Sequence, residues 1–263
     1  MESHVAVSKP SAQGSVPMIV RPLETNAVRV RWLLLSTAKA EHLSFWRRML
    51  DEDERRRADR FHFPADREAF TAAHALTRAM LSEVTGMPST AWRFVEGKYG
   101  RPEVASSCAT GGLRFNISHT RGLVACAVAY QAVGVDVESA DHMPDLGIAD
   151  TVFAPEEALV LKSAPPALQR VLFFRLWTLK EAFIKATGEG LRRPLRSFSF
   201  TLDPVRIRFH PERTSSPQSD DAAKWQFAEY RPSPHQHLAV AVHHVESQPM
   251  RLNVRAAQPE EIA

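Results

Sequence analysis

The amino-acid sequence predicts an α+β fold made of two similar halves, at residues 22–131 and 132–246. Each half shows the same order of elements: a strand, then helices, then a run of strands separated by turns. Runs of strands after a helix are typical of α+β proteins rather than doubly wound sheets. The chain has 263 residues, of which 44% are hydrophobic, so it can bury a sizeable core. Because no residue-level repeat is evident, the duplication rests on element order alone.

The first half is predicted to contain three helices. Pro64 marks the start of the longest one, because proline is tolerated in the first turn of a helix. Gly86 marks its end. In chain order, the predicted elements are a strand over 27–36, helices over 41–50, 51–61 and 64–85, and strands over 92–95, 113–117 and 123–130.

The second half repeats this order. Its predicted elements are a strand over 133–138, helices over 155–163 and 167–187, and strands over 197–202, 205–209, 225–230 and 237–244. The ends of the chain lack such patterns. Residues 1–21 mix Ser, Pro, Gly and Gln without periodicity, and 247–263 are similarly weak, so we expect both ends to be loose.

Composition and charge narrow the functional class. The net charge of +3 suits an anionic ligand or an acidic partner, but it is too mild to indicate nucleic acid. Cys108 and Cys126 are too few for a disulfide framework and lack the spacing of zinc ligands. No stretch is long and apolar enough to span a membrane, and residues 1–21 lack a secretion signal. We therefore expect a cytoplasmic protein that binds neither nucleic acid nor membrane.

Two carboxylates lie on the strand predicted over 133–138. Asp136 and Glu138 are two residues apart, so their side chains point to the same face. They repel each other unless a cation lies between them. Mg²⁺ is the expected cation, because hard divalent ions prefer oxygen ligands and the pattern has no His or Cys. A solvated strand end with two acids is the alternative.

A helical stripe follows at Trp177, Glu181 and Lys185, each four residues after the last. Glu181 is a candidate third metal ligand or general base, and Lys185 is a candidate phosphate ligand. The alternative is an ordinary Glu–Lys pair on an exposed helix, worth only about 0.2–0.5 kcal/mol. The helix alone does not decide between them.

Three further segments carry groups suited to phosphate. Ser118, His119 and Thr120 end the strand predicted over 113–117, where their side chains are candidates for hydrogen bonds to phosphate oxygens. The turn Tyr99–Gly100–Arg101–Pro102 presents one cation, and a basic run includes Arg57. A strand cap, a solvated turn and a solvated helix face are the alternatives. No GxSxG motif accompanies His119.

In this order and spacing, the segments FNISHT, GVDVE and WTLKEAFIKATGEGL closely resemble the 4′-phosphopantetheinyl transferases of the Sfp-like branch. The resemblance covers most of the chain, from about Arg57 to Leu191. It implies a pseudo-dimer of two α+β halves with the active site in the cleft between them. It also implies transfer of the phosphopantetheine arm of coenzyme A to a serine of a carrier protein, with release of adenosine 3′,5′-bisphosphate.

The resemblance also implies roles for individual residues. Asp136, Glu138 and Glu181 match the family's Mg²⁺ ligands, with Mn²⁺ as a substitute, and Glu181 is the expected general base for the serine. Lys185 and His119 are expected to neutralise phosphate charge, with Ser118 and Thr120 lining the same pocket.

The nucleotide end of coenzyme A is expected to bind Arg57 and the turn Tyr99–Gly100–Arg101. Two departures affect this region: Arg101 stands where the family often has lysine, and Glu54 stands where a lysine can occur.

The expected partners are acyl or peptidyl carrier proteins of fatty acid, polyketide or nonribosomal peptide pathways. A monomer is expected, because one chain supplies both halves of the cleft. Two alternatives stay open: a coenzyme A-binding protein without turnover, and a metal-dependent phosphodiesterase that uses water as the nucleophile.

Overall fold

The structure is a computed structural model that describes residues 20–97, 100–108, 110–141, 145–210, 221–244 and 248–262. The strands are β1 (Ala27–Leu34), β2 (Phe94–Glu96), β3 (Pro102–Val104), β4 (Arg114–Thr120), β5 (Leu123–Ala129), β6 (Val133–Ser139), β7 (Phe198–Leu202), β8 (Val205–Phe209), β9 (Trp225–Ser233), β10 (Gln236–His243) and β11 (Arg251–Ala256). The helices are α1 (Ala40–Met49), α2 (Glu52–Asp59), α3 (Pro64–Thr85), α4 (Ala149–Val152), α5 (Pro155–Ser163) and α6 (Pro166–Thr187).

The two long helices begin and end with the same residue types. Both α3 and α6 have 22 residues and begin with proline, at Pro64 and Pro166. Each ends at a glycine in the left-handed region, Gly86 with φ 78° and Gly188 with φ 73°. Proline lacks the amide hydrogen that the first turn leaves unpaired anyway, and glycine adopts positive φ without a Cβ penalty. The boundaries of both helices therefore follow from local sequence.

The two halves share one strand topology. The first sheet has the order β11–β1–β5–β4, and the second has the order β6–β10–β9. In each half the first strand pairs antiparallel with the last, and the last pairs antiparallel with the one before it. A hairpin, β2–β3 or β7–β8, follows the long helix in each half. The predicted α+β fold with two similar halves is confirmed.

Three hydrophobic clusters hold this arrangement together. One lies between α3 and the first sheet, and a second lies between α6 and the second sheet. The third lies between the sheets and contains valines such as Val28 and Val135. Side chains alternate across a strand, so one sheet buries a helix-facing set and a sheet-facing set at once. This explains why β5 is buried along its whole length.

The prediction that residues 247–263 are loose is wrong for the described part of that segment, residues 248–262. Arg251–Ala256 forms β11, which pairs in parallel with β1, and Ala257 and Ile262 are buried in the first-half core. The segment is only half-buried along the strand, and its partner lies at the other end of the chain, so its pattern is weak locally. The sequence analysis also missed the short elements β3 and α4.

The remaining predicted elements are present with ends shifted by a few residues. Among the described residues, none of the helices combines the length and hydropathy that a membrane crossing requires.

Candidate active site

Helix α6 approaches strand β6 very closely at Gly134. A Cβ added to Gly134 would lie 2.0 Å from the carbonyl oxygen of Ala182 and 2.6 Å from the amide nitrogen of Ala186. Real Cβ atoms do not approach backbone atoms this closely, so this position requires glycine. The close approach places the carboxylates of β6 and the charged stripe of α6 on facing surfaces.

Asp136 is the buried centre of the site, with 3% of its surface exposed. Its Oδ1 accepts hydrogen bonds from Lys185 Nζ at 2.6 Å and from Ser118 Oγ at 3.0 Å. Its Oδ2 is also buried and has no hydrogen-bond partner within the described part of the chain. A buried carboxylate oxygen without a partner is costly, so this atom is a candidate ligand for a cation.

Two more carboxylates lie near Asp136. Burial, followed by the charge of Asp136, raises the pKa of Glu138 to about 7. Burial and the charge of Asp136 also raise the pKa of Glu181. Trp177 Nε1 donates to Glu138 Oε1 at 3.0 Å and fixes that carboxylate. The site therefore holds more acidic groups than it can keep ionised without an added cation.

The donor set suits a hard divalent cation, because it consists of carboxylate oxygens and includes the unpartnered Asp136 Oδ2. The described residues do not, however, include three or more His, Cys, Asp or Glu side chains already close enough together to hold a metal ion. The ammonium of Lys185 instead neutralises Asp136.

Strand β4 of the first half lies beside β6 and contributes polar side chains. Val135 N donates to Asn116 Oδ1 at 2.8 Å, and Val137 N donates to Ser118 Oγ at 3.2 Å. Lys185 Nζ donates to the same Ser118 oxygen at 3.0 Å. Both halves therefore meet at Asp136.

His119 follows Ser118 on β4, and its side chain is exposed at the edge of the site. Desolvation by the surrounding protein lowers the pKa of His119, and the positive charges of Lys185 and the nearby His74 and Arg57 lower it further. His119 is therefore mostly neutral near pH 7 when no anion is bound. An anion placed among these cations would favour its protonated form.

A cavity of about 140 Å³ in the first half is lined by Arg57, Phe70, His74 and Gly100, among others. The guanidinium of Arg57 lies 5.6 Å from the centre of the Phe70 ring, and His74 stacks on the same ring at 4.0 Å. The predicted site residues Arg57 and Gly100 thus line one cavity. The charges of Arg57 and His74, which line this cavity, also lower the pKa of His119.

Glu54 also lines this cavity. Its buried carboxylate accepts hydrogen bonds from Arg78 and from the backbone amide of Asp51. The same carboxylate lies 2.7 Å from His74 Nδ1. The departure noted in the sequence, an acid where a lysine can occur, is therefore explained by a structural network that joins α2 to α3.

Arg101 connects the two halves. Its Nη1 donates to the carbonyl of Lys185 at 2.8 Å, and its Nη2 donates to the carbonyl of Phe115 at 3.1 Å. The structure thus gives Arg101 a bridging role, and its predicted nucleotide contact stays a prediction. Thr120 ends β4 opposite Leu123 and is partly exposed. The predicted residue Tyr99 lies outside the described residues.

Comparison with known proteins agrees with the motifs. The sequence pattern of the 4′-phosphopantetheinyl transferase superfamily matches residues 132–242, and that of the 4′-phosphopantetheinyl transferase N-terminal region matches residues 37–131. The 4′-phosphopantetheinyl transferase HetI of Nostoc sp. is 35% identical over 195 residues, which cover 73% of this chain and 78% of that protein. This chain belongs to the 4′-phosphopantetheinyl transferase superfamily.

A second relative aligns over a shorter region. Sfp of Bacillus subtilis is 31% identical over 153 residues, which cover 58% of this chain and 66% of that protein. The predicted resemblance to the Sfp-like branch is confirmed. A solved structure of the Thermotoga maritima holo-[acyl-carrier-protein] synthase aligns with 44% of this chain and 64% of that chain, at a TM-score of 0.35 and 19% identity.

The sequence analysis did not assign a role to three residues of this phosphopantetheinyl transferase that shape the site. Gly134 sets the helix distance, Asn116 binds β6, and Trp177 holds Glu138. All three lie within the quoted motifs. The i, i+2 spacing of Asn116 and Ser118, flanked by Phe115 and Ile117, was a usable signal, because it puts both polar side chains on one face of β4.

Proposed function

We propose that this enzyme transfers the 4′-phosphopantetheine group of coenzyme A to a serine hydroxyl of an acyl or peptidyl carrier protein. Adenosine 3′,5′-bisphosphate is the second product. The observation that carries the proposal is the buried Asp136, which has one unpartnered oxygen and lies beside Glu138, Glu181 and Lys185 at the boundary of the halves. Acids and a lysine that share one site suit a ligand combining a metal cation with phosphate.

We propose Mg²⁺ as the cation, held by Asp136, Glu138 and Glu181. Their oxygen ligands suit Mg²⁺, and Mn²⁺ is a chemically similar substitute. When bound, the ion supplies positive charge to the pyrophosphate oxygens of coenzyme A as the bridging bond breaks. A bound cation would also oppose the burial and the negative charge of Asp136 that raise the pKa of Glu138 and Glu181.

Glu181 is proposed to accept the serine proton, directly or through water. The serine oxygen bonds to the phosphorus that carries pantetheine, and the bond from that phosphorus to the bridging pyrophosphate oxygen breaks. In the protein without a cation, burial and the charge of Asp136 raise the pKa of Glu181, which favours proton uptake by its carboxylate. Atoms and charge balance, because the electron pair of the broken bond leaves with adenosine 3′,5′-bisphosphate.

Cations from both halves are proposed to bind the phosphates. Lys185 from α6 lies at the carboxylates. His119 lies near the end of β4, and the charges of Lys185 and Arg57 both lower its pKa. Charge develops on the leaving bisphosphate during transfer, so fixed cations at this place lower the barrier. The nucleotide end of coenzyme A is proposed to enter the first-half cavity beside Arg57 and Gly100.

The test is incubation of the purified chain with coenzyme A, Mg²⁺ and a panel of apo carrier proteins from fatty acid, polyketide and nonribosomal peptide synthesis. Mass spectrometry should show one phosphopantetheine arm on at least one carrier. Glu181→Gln should stay folded and lose transfer, whereas Glu41→Gln, on exposed α1, should keep it. If no carrier gains the arm and coenzyme A is cleaved without carrier, the phosphodiesterase alternative replaces this proposal.

The monomeric state and the cytoplasmic location stay predictions. One chain supplies both sides of the site, so no second copy is needed to complete it. Light scattering coupled to size exclusion checks the monomer.

A further inference from the structure

The two sheets meet at their edges through side chains. β4 is an edge strand of the first sheet and β6 is an edge strand of the second. They are not paired through backbone hydrogen bonds. Instead, Asn116 and Ser118 of β4 accept the amide hydrogens of Val135 and Val137, at 2.8 and 3.2 Å. These two amides flank Asp136, so β4 holds the segment that presents this carboxylate.

The hydrogen bonds of Ser118 use the full capacity of its hydroxyl. A serine hydroxyl has one hydrogen to donate and two lone pairs to accept with. Ser118 Oγ donates to Asp136 Oδ1 at 3.0 Å and accepts from Val137 N at 3.2 Å and Lys185 Nζ at 3.0 Å. The residue is only 6% exposed. A phosphate oxygen only accepts hydrogen bonds, so it would need the hydrogen that Ser118 gives to Asp136.

We infer that Ser118 is a positioning residue that orients Asp136 for metal binding rather than a phosphate ligand. Asn116 supports it by holding the amide on the other side of Asp136. This inference rests on the proposed function, which makes Asp136 a Mg²⁺ ligand. With Oδ1 held by Ser118 and Lys185, Oδ2 is the oxygen left for the cation. This inference departs from the sequence-based expectation that Ser118 lines the phosphate pocket, and the experiment below decides between the two.

The experiment separates metal affinity from coenzyme A affinity in the full chain. Mn²⁺ binding is followed by electron paramagnetic resonance in the presence of coenzyme A and without carrier protein. A blank without the enzyme measures the Mn²⁺ that binds to coenzyme A itself. Coenzyme A binding is followed by calorimetry without metal. The variants are Ser118→Ala, Ser118→Thr, which keeps the hydroxyl, and His119→Ala, which removes a proposed phosphate contact. Circular dichroism checks that each variant is folded.

Ser118→Ala should weaken Mn²⁺ binding by about 10-fold or more, the usual effect of removing a group that orients a metal ligand. Its affinity for coenzyme A should stay within about 2-fold of wild type, and Ser118→Thr should restore Mn²⁺ binding. His119→Ala should show the opposite split. If Ser118→Ala does not fold, Ser118→Cys serves instead, because it keeps the volume but has a weaker donor and acceptor.

The inference is overturned if the serine variant binds Mn²⁺ as tightly as wild type or loses coenzyme A affinity as His119→Ala does. A wild-type protein that transfers the arm but binds no Mn²⁺ contradicts the proposed metal site instead. A wild-type protein without transfer contradicts the proposed function. The three failures are therefore distinguishable.

Discussion

Replacing Gly134 by alanine tests whether the spacing of α6 and β6 controls the chemistry. The new Cβ would lie 2.0 Å from the Ala182 carbonyl oxygen, whereas unstrained contacts are near 3.5 Å. Since both contacts are backbone atoms, side-chain rotation does not relieve the clash. Helix α6 must move away from β6 by about 1 Å or more, given that difference.

The expected losses follow from this displacement. Overpacking of this kind destabilises by about 1–3 kcal/mol. That corresponds to a fall in Tm of at least about 2 °C for a chain of this size. The same movement separates Glu181 and Lys185 from Asp136, and a misplacement of about 1 Å can cost on the order of 100-fold in rate. Transfer kinetics with a fixed carrier and thermal unfolding measure the two effects.

Val135→Ala is the matched control. Val135 is buried on the opposite face of β6, between the sheets, so its truncation destabilises without touching α6. A loss of about 1–3 kcal/mol with near-normal kcat is expected there. If Gly134→Ala keeps wild-type Tm and kcat, or if Val135→Ala loses as much kcat as Gly134→Ala, helix spacing is not what positions the catalytic groups.

Three further predictions concern other parts of the molecule. Coenzyme A should bind more tightly as pH falls below about 6.5. The reason is that the pKa of His119 is lowered in the free protein, whereas a bound phosphate favours the protonated form of His119. Calorimetry without metal should show that this pH dependence vanishes in His119→Gln. Lys180→Met should lower the free energy of unfolding, measured in urea, by about 3–5 kcal/mol, because it leaves the buried carboxyl of Glu157 without its ammonium partner. Adding Glu157→Leu should recover much of the loss. Deleting residues 251–263 should lower Tm through loss of β11 and of the buried Ile262, whereas an unchanged Tm would mean that β11 adds no stability.

The long helices and most strands were predictable because their signals are local. Pro64 and Gly86 mark the ends of α3 within the sequence itself. β11 was missed for the opposite reason. Arg251 of β11 pairs with Ala27, which lies near the other end of the chain. Two parallel strands so far apart in sequence have no turn between them that the sequence could reveal. Both β1 and β11 also lie outside the ranges that the family patterns match.

The grouping of site side chains was predictable where they lie on a single strand or helix. Strand alternation places Asp136 and Glu138 on one face, and helical spacing places Glu181 and Lys185 on one stripe. Partners that come from the other half were not predictable. Ser118 donates a hydrogen bond to Asp136, and Arg101 donates to the carbonyls of Phe115 and Lys185, contacts that no single element predicts. Their expected contacts with phosphate and with the nucleotide stay predictions.

The duplicated fold explains why chemistry and packing are coupled at the boundary. An exposed edge strand can pair with another chain. Here the edge strands β4 and β6 cover each other, and side chains of β4 accept hydrogen bonds from backbone amides of β6. The two donors to Asp136 Oδ1 come from different halves, Ser118 from the first and Lys185 from the second. Neither half alone supplies both hydrogen bonds to this carboxylate. A variant that loosens the boundary should therefore disturb Asp136, and with it the proposed metal binding, even where each half stays folded.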